Sequence, residues 1–180
     1  MSNKYVFKVL LLGEGGVGKT TLKQRYTEGL VDPIYKCTIG VDFGLIDAKH
    51  SEQEISLHFW DIGGQTQFRE ISGVFYKGAK AAVLMFDVTQ PSTLDNLNEW
   101  LKLMKQENIY DIPKMVVGNK IDIRKVDKGH ITTEKAKKFC DSLNVEYYET
   151  SALKGEGTEE LLKNLVKIVA TTYITVGKKA

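Results

Sequence analysis

The apolar run YVFKVLLL (residues 5–12) stops abruptly at GEGGVGKT (13–20), and this junction constrains the chain more than any other stretch. Glycines let a backbone turn sharply and let it approach a ligand without side-chain clash. A strand followed by G-x-x-x-x-G-K-[ST] and then a helix presents successive N–H groups and a helix N-terminus to one anion. In that pattern Lys19 reaches the outer phosphates of a nucleotide, and the Thr20 hydroxyl ligates magnesium. Gly13, Glu14, Gly15, Gly16, Val17, Gly18, Lys19, Thr20 and Thr21 are therefore expected to line a phosphate site. The bland alternative is a glycine-rich turn before an ordinary helix. It explains the glycines but not the Lys-Thr pair between a strand and a helix.

Strands and helices alternate along the rest of the chain. KTTLKQRYTEG (19–29) reads as a helix ended by Gly29. VDFGLIDAKH and EISLHFWD read as two strands joined by the polar turn SEQ. AAVLMFDV (81–88) and KMVVGN (114–119) are continuous apolar runs, the pattern of strands buried on both faces. Pro91 opens a helix in which Leu94, Leu97, Leu101 and Met104 recur at three or four residues. TTEKAKKFCDSL (132–143) is a helix, VEYYET a strand, and Leu161, Leu162, Leu165, Val166 and Val169 make the last helix amphipathic. This order predicts an α/β domain with a mostly parallel sheet covered on both faces, its ligands bound beyond the carboxyl ends of the strands.

At 180 residues the chain fits one domain, spanning 1–180. A net charge of +2 gives no electrostatic case for nucleic acid. Cys37 and Cys140 have no metal spacing and form no disulfide framework, so a reducing, cytoplasmic setting is expected. No run is long enough to span a membrane.

A phosphate loop does not choose a base. VVGNKID (116–122) places Asn119, Lys120 and Asp122 after a buried strand. A carboxylate at 122 can accept from the N1–H and exocyclic amine of guanine, whereas adenine would leave it unpaired. Asn119 can bond the imidazole edge, and the Lys120 stem can lie along the ring. ETSAL then follows the next strand, with Ser151, Ala152 and Leu153 beside the base and the Ala152 N–H placed for the guanine O6. WDIGGQ (60–65) could be a mere turn or could face the phosphates.

Taken with Thr38, the set GEGGVGKT, WDIGGQ, NKID and TSAL resembles the Ras-superfamily small GTPases over essentially the whole chain. TIGVDF (38–43), FW before Asp61 and FYKGA (75–79) resemble its Rab branch. The resemblance implies a P-loop NTPase three-layer sandwich: a six-stranded, mostly parallel sheet with one antiparallel strand and helices on both faces. It implies GTP and GDP as substrate and product, with Mg2+ held by Thr20, Thr38 and, through water, Asp61. It also implies two switch segments, about 31–40 and about 61–76. By that resemblance Gln65 orients the attacking water, with Lys19 and Thr38 assisting catalysis. Gly64 meets the γ-phosphate, Tyr35 covers the phosphates, and Val31 lies where the family often sets an aromatic ring against guanine. Effectors, an exchange factor and an activating protein would read the switches and Phe43, Trp60 and Tyr76, although core packing explains each aromatic as well.

Some features depart from the family pattern. Gly63 replaces the usual alanine and should loosen the second switch. TQF (66–68) replaces ERF. TYITVGKKA carries no cysteine to prenylate, so no direct lipid anchor is expected in this chain, which is read as a monomer. Arg25 and Arg69 are read as solvated surface residues. The activity expected is slow GTP hydrolysis driving a switch; the alternative is a GTP-binding scaffold that barely hydrolyses.

Overall fold

The computed structural model of the chain describes residues 4–29, 38, 40–64 and 73–175. Val31, Tyr35, Cys37, Gln65 and Arg69 lie outside the described residues. Its elements are β1 (Lys4–Leu12), α1 (Lys19–Glu28), β2 (Val41–His50), β3 (Gln53–Ile62), α2 (Gly73–Tyr76) and β4 (Ala81–Asp87). They continue with α3 (Pro91–Asp95), α4 (Leu97–Gln106), β5 (Lys114–Asn119), α5 (Thr133–Leu143), β6 (Glu146–Thr150) and α6 (Thr158–Ala170). The strands form one six-stranded sheet in the order β2-β3-β1-β4-β5-β6. Only the β2–β3 pair is antiparallel, running from Val41 opposite Ile62 to His50 opposite Gln53. The other pairs are parallel.

Central strands lie between two apolar layers, which is why they read as unbroken hydrophobic runs. Val9, Leu11, Val83, Met85 and Val117 pack with Leu22, Leu165 and Val169 on one face. Leu10, Leu12, Leu84, Phe86 and Val116 pack with Leu97, Trp100 and Met104 on the other. At roughly 1.5–3 kcal/mol for each fully buried large side chain, this alternation fixes the register of β1 and β4. The last helix buries its apolar stripe on the sheet, as its periodicity indicates.

Two local details differ from the sequence reading. Gln53 already pairs with His50, so the hairpin turn is Ser51-Glu52, with Ser51 left-handed at φ 53. The helix opened by Pro91 breaks at Asn96, whose N–H reaches Ser92 O and whose carbonyl accepts from Glu99 N. Leu94, Leu97, Leu101 and Met104 stay buried across the break.

β1 pairs with β3 on one side and β4 on the other, so the strand order reverses at its carboxyl end. A ligand site at such a reversal is the rule for open parallel sheets, and GEGGVGKT begins there. No helix among the described residues is long and apolar enough to cross a membrane.

Candidate functional site

The loop after β1 has the geometry of an anion cradle. Gly13 (φ 144), Gly16 (φ 78) and Gly18 (φ 103) take backbone angles open to glycine. A Cβ at Gly13 would sit 2.2 Å from Met85 O, and one at Gly18 would sit 2.2 Å from Asn119 Nδ2. Gly18 caps α1 without any side-chain hydrogen bond, and the first turn carries no acidic residue. No acidic side chain in that turn offsets the positive end of α1, which faces the loop. Lys19 is 5% exposed, and its Nζ donates to Gly13 O at 2.8 Å and Glu14 O at 2.9 Å. Its ammonium is thus preset where phosphate oxygens would arrive.

Opposite the loop, Asp61 is fully buried near the end of β3. Thr20 Oγ1 donates to its Oδ2 at 2.5 Å, and Thr38 Oγ1 lies 2.7 Å from Thr20 Oγ1 and 3.3 Å from the same carboxylate oxygen. The other oxygen, Oδ1, is buried without a hydrogen-bond partner among the described residues. Burial raises the Asp61 carboxyl above its ordinary value, opposed by the Lys19 charge and the two threonine hydrogen bonds. One orphaned buried carboxylate oxygen beside two hydroxyls is a donor set that a hard divalent cation satisfies.

The start of β2 and the end of β3 also meet here. Gly63 N donates to Gly40 O at 2.8 Å, extending the β2–β3 ladder by one tie. A Cβ at Gly64 would sit 2.2 Å from Gly15 N and 2.3 Å from Glu14 C, so this backbone rests directly on the phosphate loop. A Cβ at Gly15 itself would meet nothing within 4 Å.

At the base end, Asn119 acts as a brace. Its Nδ2 donates to Val17 O at 2.8 Å, and its Oδ1 accepts from Thr150 Oγ1 at 3.0 Å and Ala152 N at 2.9 Å. The Ala152 N–H is therefore engaged by Asn119, and a guanine O6 would have to share it. Lys120 is left-handed at φ 69, and its Nζ pairs with the buried Asp87 Oδ2 at 2.6 Å. Asp122 is exposed and makes no hydrogen bond or ion pair with any described residue. Ser151 is fully buried, its N–H bonded to Glu156 O, while Leu153 is 43% exposed.

The chain thus presents an anion cradle, a carboxylate between two threonines, and an exposed Asp122 at the carboxyl ends of one sheet. A Ras family model matches residues 8–171. The chain belongs to the Ras family. This Ras-family chain is 33% identical to human Ras-related protein Rab-8B over 167 residues, 93% of this chain and 80% of that one. It is 35% identical to Ras-related protein RABA1f of Arabidopsis thaliana over 177 residues, covering 96% and 81%. It is 35% identical to human Ras-related protein Rab-30 over 161 residues, covering 89% and 78%. It is accordingly a Rab-like small GTP-binding protein that hydrolyses GTP.

The structure revises some of the residue readings for this Ras-family protein. Tyr76 is fully buried in the layer with Ile62, Leu10 and Leu97, so it packs as core. Phe43 is 54% exposed and meets Trp60 edge-on at 4.5 Å, with Lys8 Nζ 3.4 Å above the Trp60 ring. Arg25 is not a solvated surface residue. Its guanidinium donates to the carbonyls of Ala152 (3.1 Å), Leu153 and Gly29 (3.1 Å). Cys140 is buried, its thiol pushed up to about 12, which makes it inert.

Sequence reasoning also missed a network behind the base loops. Arg124, two residues after Asp122, holds Glu149 through Nη1 (3.2 Å) and Nη2 (2.6 Å), and Thr133 and Tyr147 donate to the same carboxylate at 2.7 and 2.8 Å. Burial raises the Glu149 carboxyl, but these hydrogen bonds outweigh it and hold the group below its ordinary value. A depressed folded value means the contribution is complete above the unfolded value and is lost as pH falls through the folded one. Glu149→Gln should therefore lower the thermal midpoint at pH 7, and the gap should close below about pH 4. Thermal unfolding of both proteins between neutral and acid pH checks this; a gap independent of pH contradicts it.

Proposed function

We propose that this protein is a magnesium-dependent GTPase switch in which the third phosphate ties two loops to the sheet. The observation that carries the proposal is the convergence of Thr20 and Thr38 on Asp61, whose second oxygen is buried without a hydrogen-bond partner among the described residues. Thr20 and Thr38 would hold Mg2+ directly, and Asp61 through water. When bound, the ion neutralises charge on the β- and γ-phosphate oxygens.

The chain's own residues supply position and charge. Lys19 and the α1 N-terminus hold the phosphates. The Gly64 backbone, seated on Glu14 and Gly15, would contact the γ-phosphate in this reading. Gln65 would orient the attacking water, in the open space that Gly15 leaves. Phosphoryl transfer has a loose transition state, so such positioning accounts for most of the rate. No described side chain is placed as an arginine finger, because Arg25 is engaged with carbonyls; hydrolysis is slow until a partner assists. Val31 and Tyr35 complete the nucleotide site in this reading.

The output is recruitment of effectors in the GTP state through the switches, with the exposed Phe43 and half-buried Trp60 beside them. Its Rab-like character supports a role in cytoplasmic membrane traffic. Incubation with GTP and Mg2+, followed by quantifying GDP, tests the reaction. Gln65→Leu should slow single-turnover hydrolysis by about tenfold while sparing GTP binding. Equal rates in the two proteins remove Gln65 from the chemistry, and no GDP formation at all favours the scaffold reading.

A further inference from the structure

Of the residues of α1, Lys19, Leu22 and Lys23 are buried, and only Leu22 among them is hydrophobic. Tyr26 adds a ring stacked on Phe59 at 5.5 Å. Polar ties complete the placement of the helix. Lys23 pairs with Asp42 on β2, and Tyr26 donates to Thr158 O at 2.8 Å at the start of α6. Arg25 makes the third tie. Nε donates to Ala152 O at 3.1 Å, Nη2 to Leu153 O, and Nη1 to Gly29 O at 3.1 Å.

Its partners define what it joins. Ala152 and Leu153 form the loop after β6 that borders the base. On the β5 side that loop is held by the Asn119 brace. Arg25 holds it on the α1 side, from a helix whose first residues are part of the phosphate cradle. Gly155, at φ +85, folds back with its Cβ position 3.8 Å from the guanidinium. Three carbonyls in different directions suit the planar five-donor fork of arginine; a lysine ammonium is a point charge that cannot reproduce it. Charge-assisted bonds of this kind are about twice as strong as neutral ones.

We propose that Arg25 is a positioning residue for nucleotide retention: it holds the Ala152–Leu153 loop against α1, so that base site and phosphate cradle move as one body. The inference rests on the guanine-nucleotide reading of the site. Losing the tie lets the base loop open while the phosphates are still held, which raises the rate of nucleotide release more than it changes the rate of capture.

The test uses the full chain loaded with Mg2+ and N-methylanthraniloyl-GDP and chased with excess GDP. Arg25→Ala should release nucleotide about tenfold faster, with association within about twofold of the parent. Arg25→Lys should fall between the two, and it decides the question if the alanine variant does not fold. Hydrogen exchange should rise in peptides covering residues 150–156 while the β4 peptide keeps its protection. Release at the parental rate in the folded variants overturns the proposal. So does faster release with protection lost across the whole sheet, since that is general destabilisation. If the parent retains no guanine nucleotide, the site reading fails, and that result is separate from any effect of Arg25.

Discussion

Lys19→Ala should weaken GDP and GTP binding by about two to four orders of magnitude, the largest single-residue effect on binding expected here. Its ammonium is buried in the cradle and held by Gly13 and Glu14 carbonyls, so it reaches the phosphates already desolvated and oriented. Truncation leaves those carbonyls and the incoming phosphate charge facing each other. Removing one partner of a buried charged contact costs about 3–5 kcal/mol, which is the stated range in affinity. Arginine should not rescue it, because a guanidinium is too broad for a cradle lined by Gly13 and Gly18. Equilibrium titration with a fluorescent GDP checks the loss. Affinity within about tenfold of the parent would mean that the α1 amides alone hold the phosphates.

Asp122→Asn should exchange base preference. Asp122 is exposed and makes no hydrogen bond or ion pair among the described residues, so the substitution breaks no contact there. Its carboxylate can accept two hydrogen bonds from guanine N1–H and the 2-amine. Asparagine offers an amide that opposes the amine but suits the carbonyl that xanthine carries there. A polar site left unpaired by the wrong ligand discriminates strongly. GDP affinity should fall by about two orders of magnitude, and the xanthine diphosphate should gain by a similar factor. Competition of GDP against xanthosine diphosphate reads both numbers in one assay, and unchanged guanine preference removes Asp122 from the base site.

The cradle was legible because its requirements are local: glycine where φ is positive, lysine and threonine at the first turn of a helix, and an apolar strand before them. The two-sided strands were legible for a similar reason, since burial on both faces leaves no polar alternation. What stayed hidden depends on distant partners. Arg25 bonds to carbonyls of Ala152 and Leu153, more than 120 positions away, and a backbone acceptor leaves no mark in a sequence. Asn119 reads as a base contact from its motif, but only the fold shows it bracing Val17, Thr150 and Ala152. Tyr76 illustrates the reverse problem. An aromatic beside a switch can face effectors or the core, and here the layer over Ile62 takes it in. Glu149 and Arg124 carry no motif, and they meet only because β5 and β6 lie side by side.

The central claim is that the γ-phosphate fastens both switch segments. Backbone amide exchange at Thr38 and Gly64, compared between GDP and a non-hydrolysable GTP analogue, measures that directly. The account predicts at least about tenfold slower exchange at both amides with the analogue. Equal exchange in the two nucleotide states would contradict it.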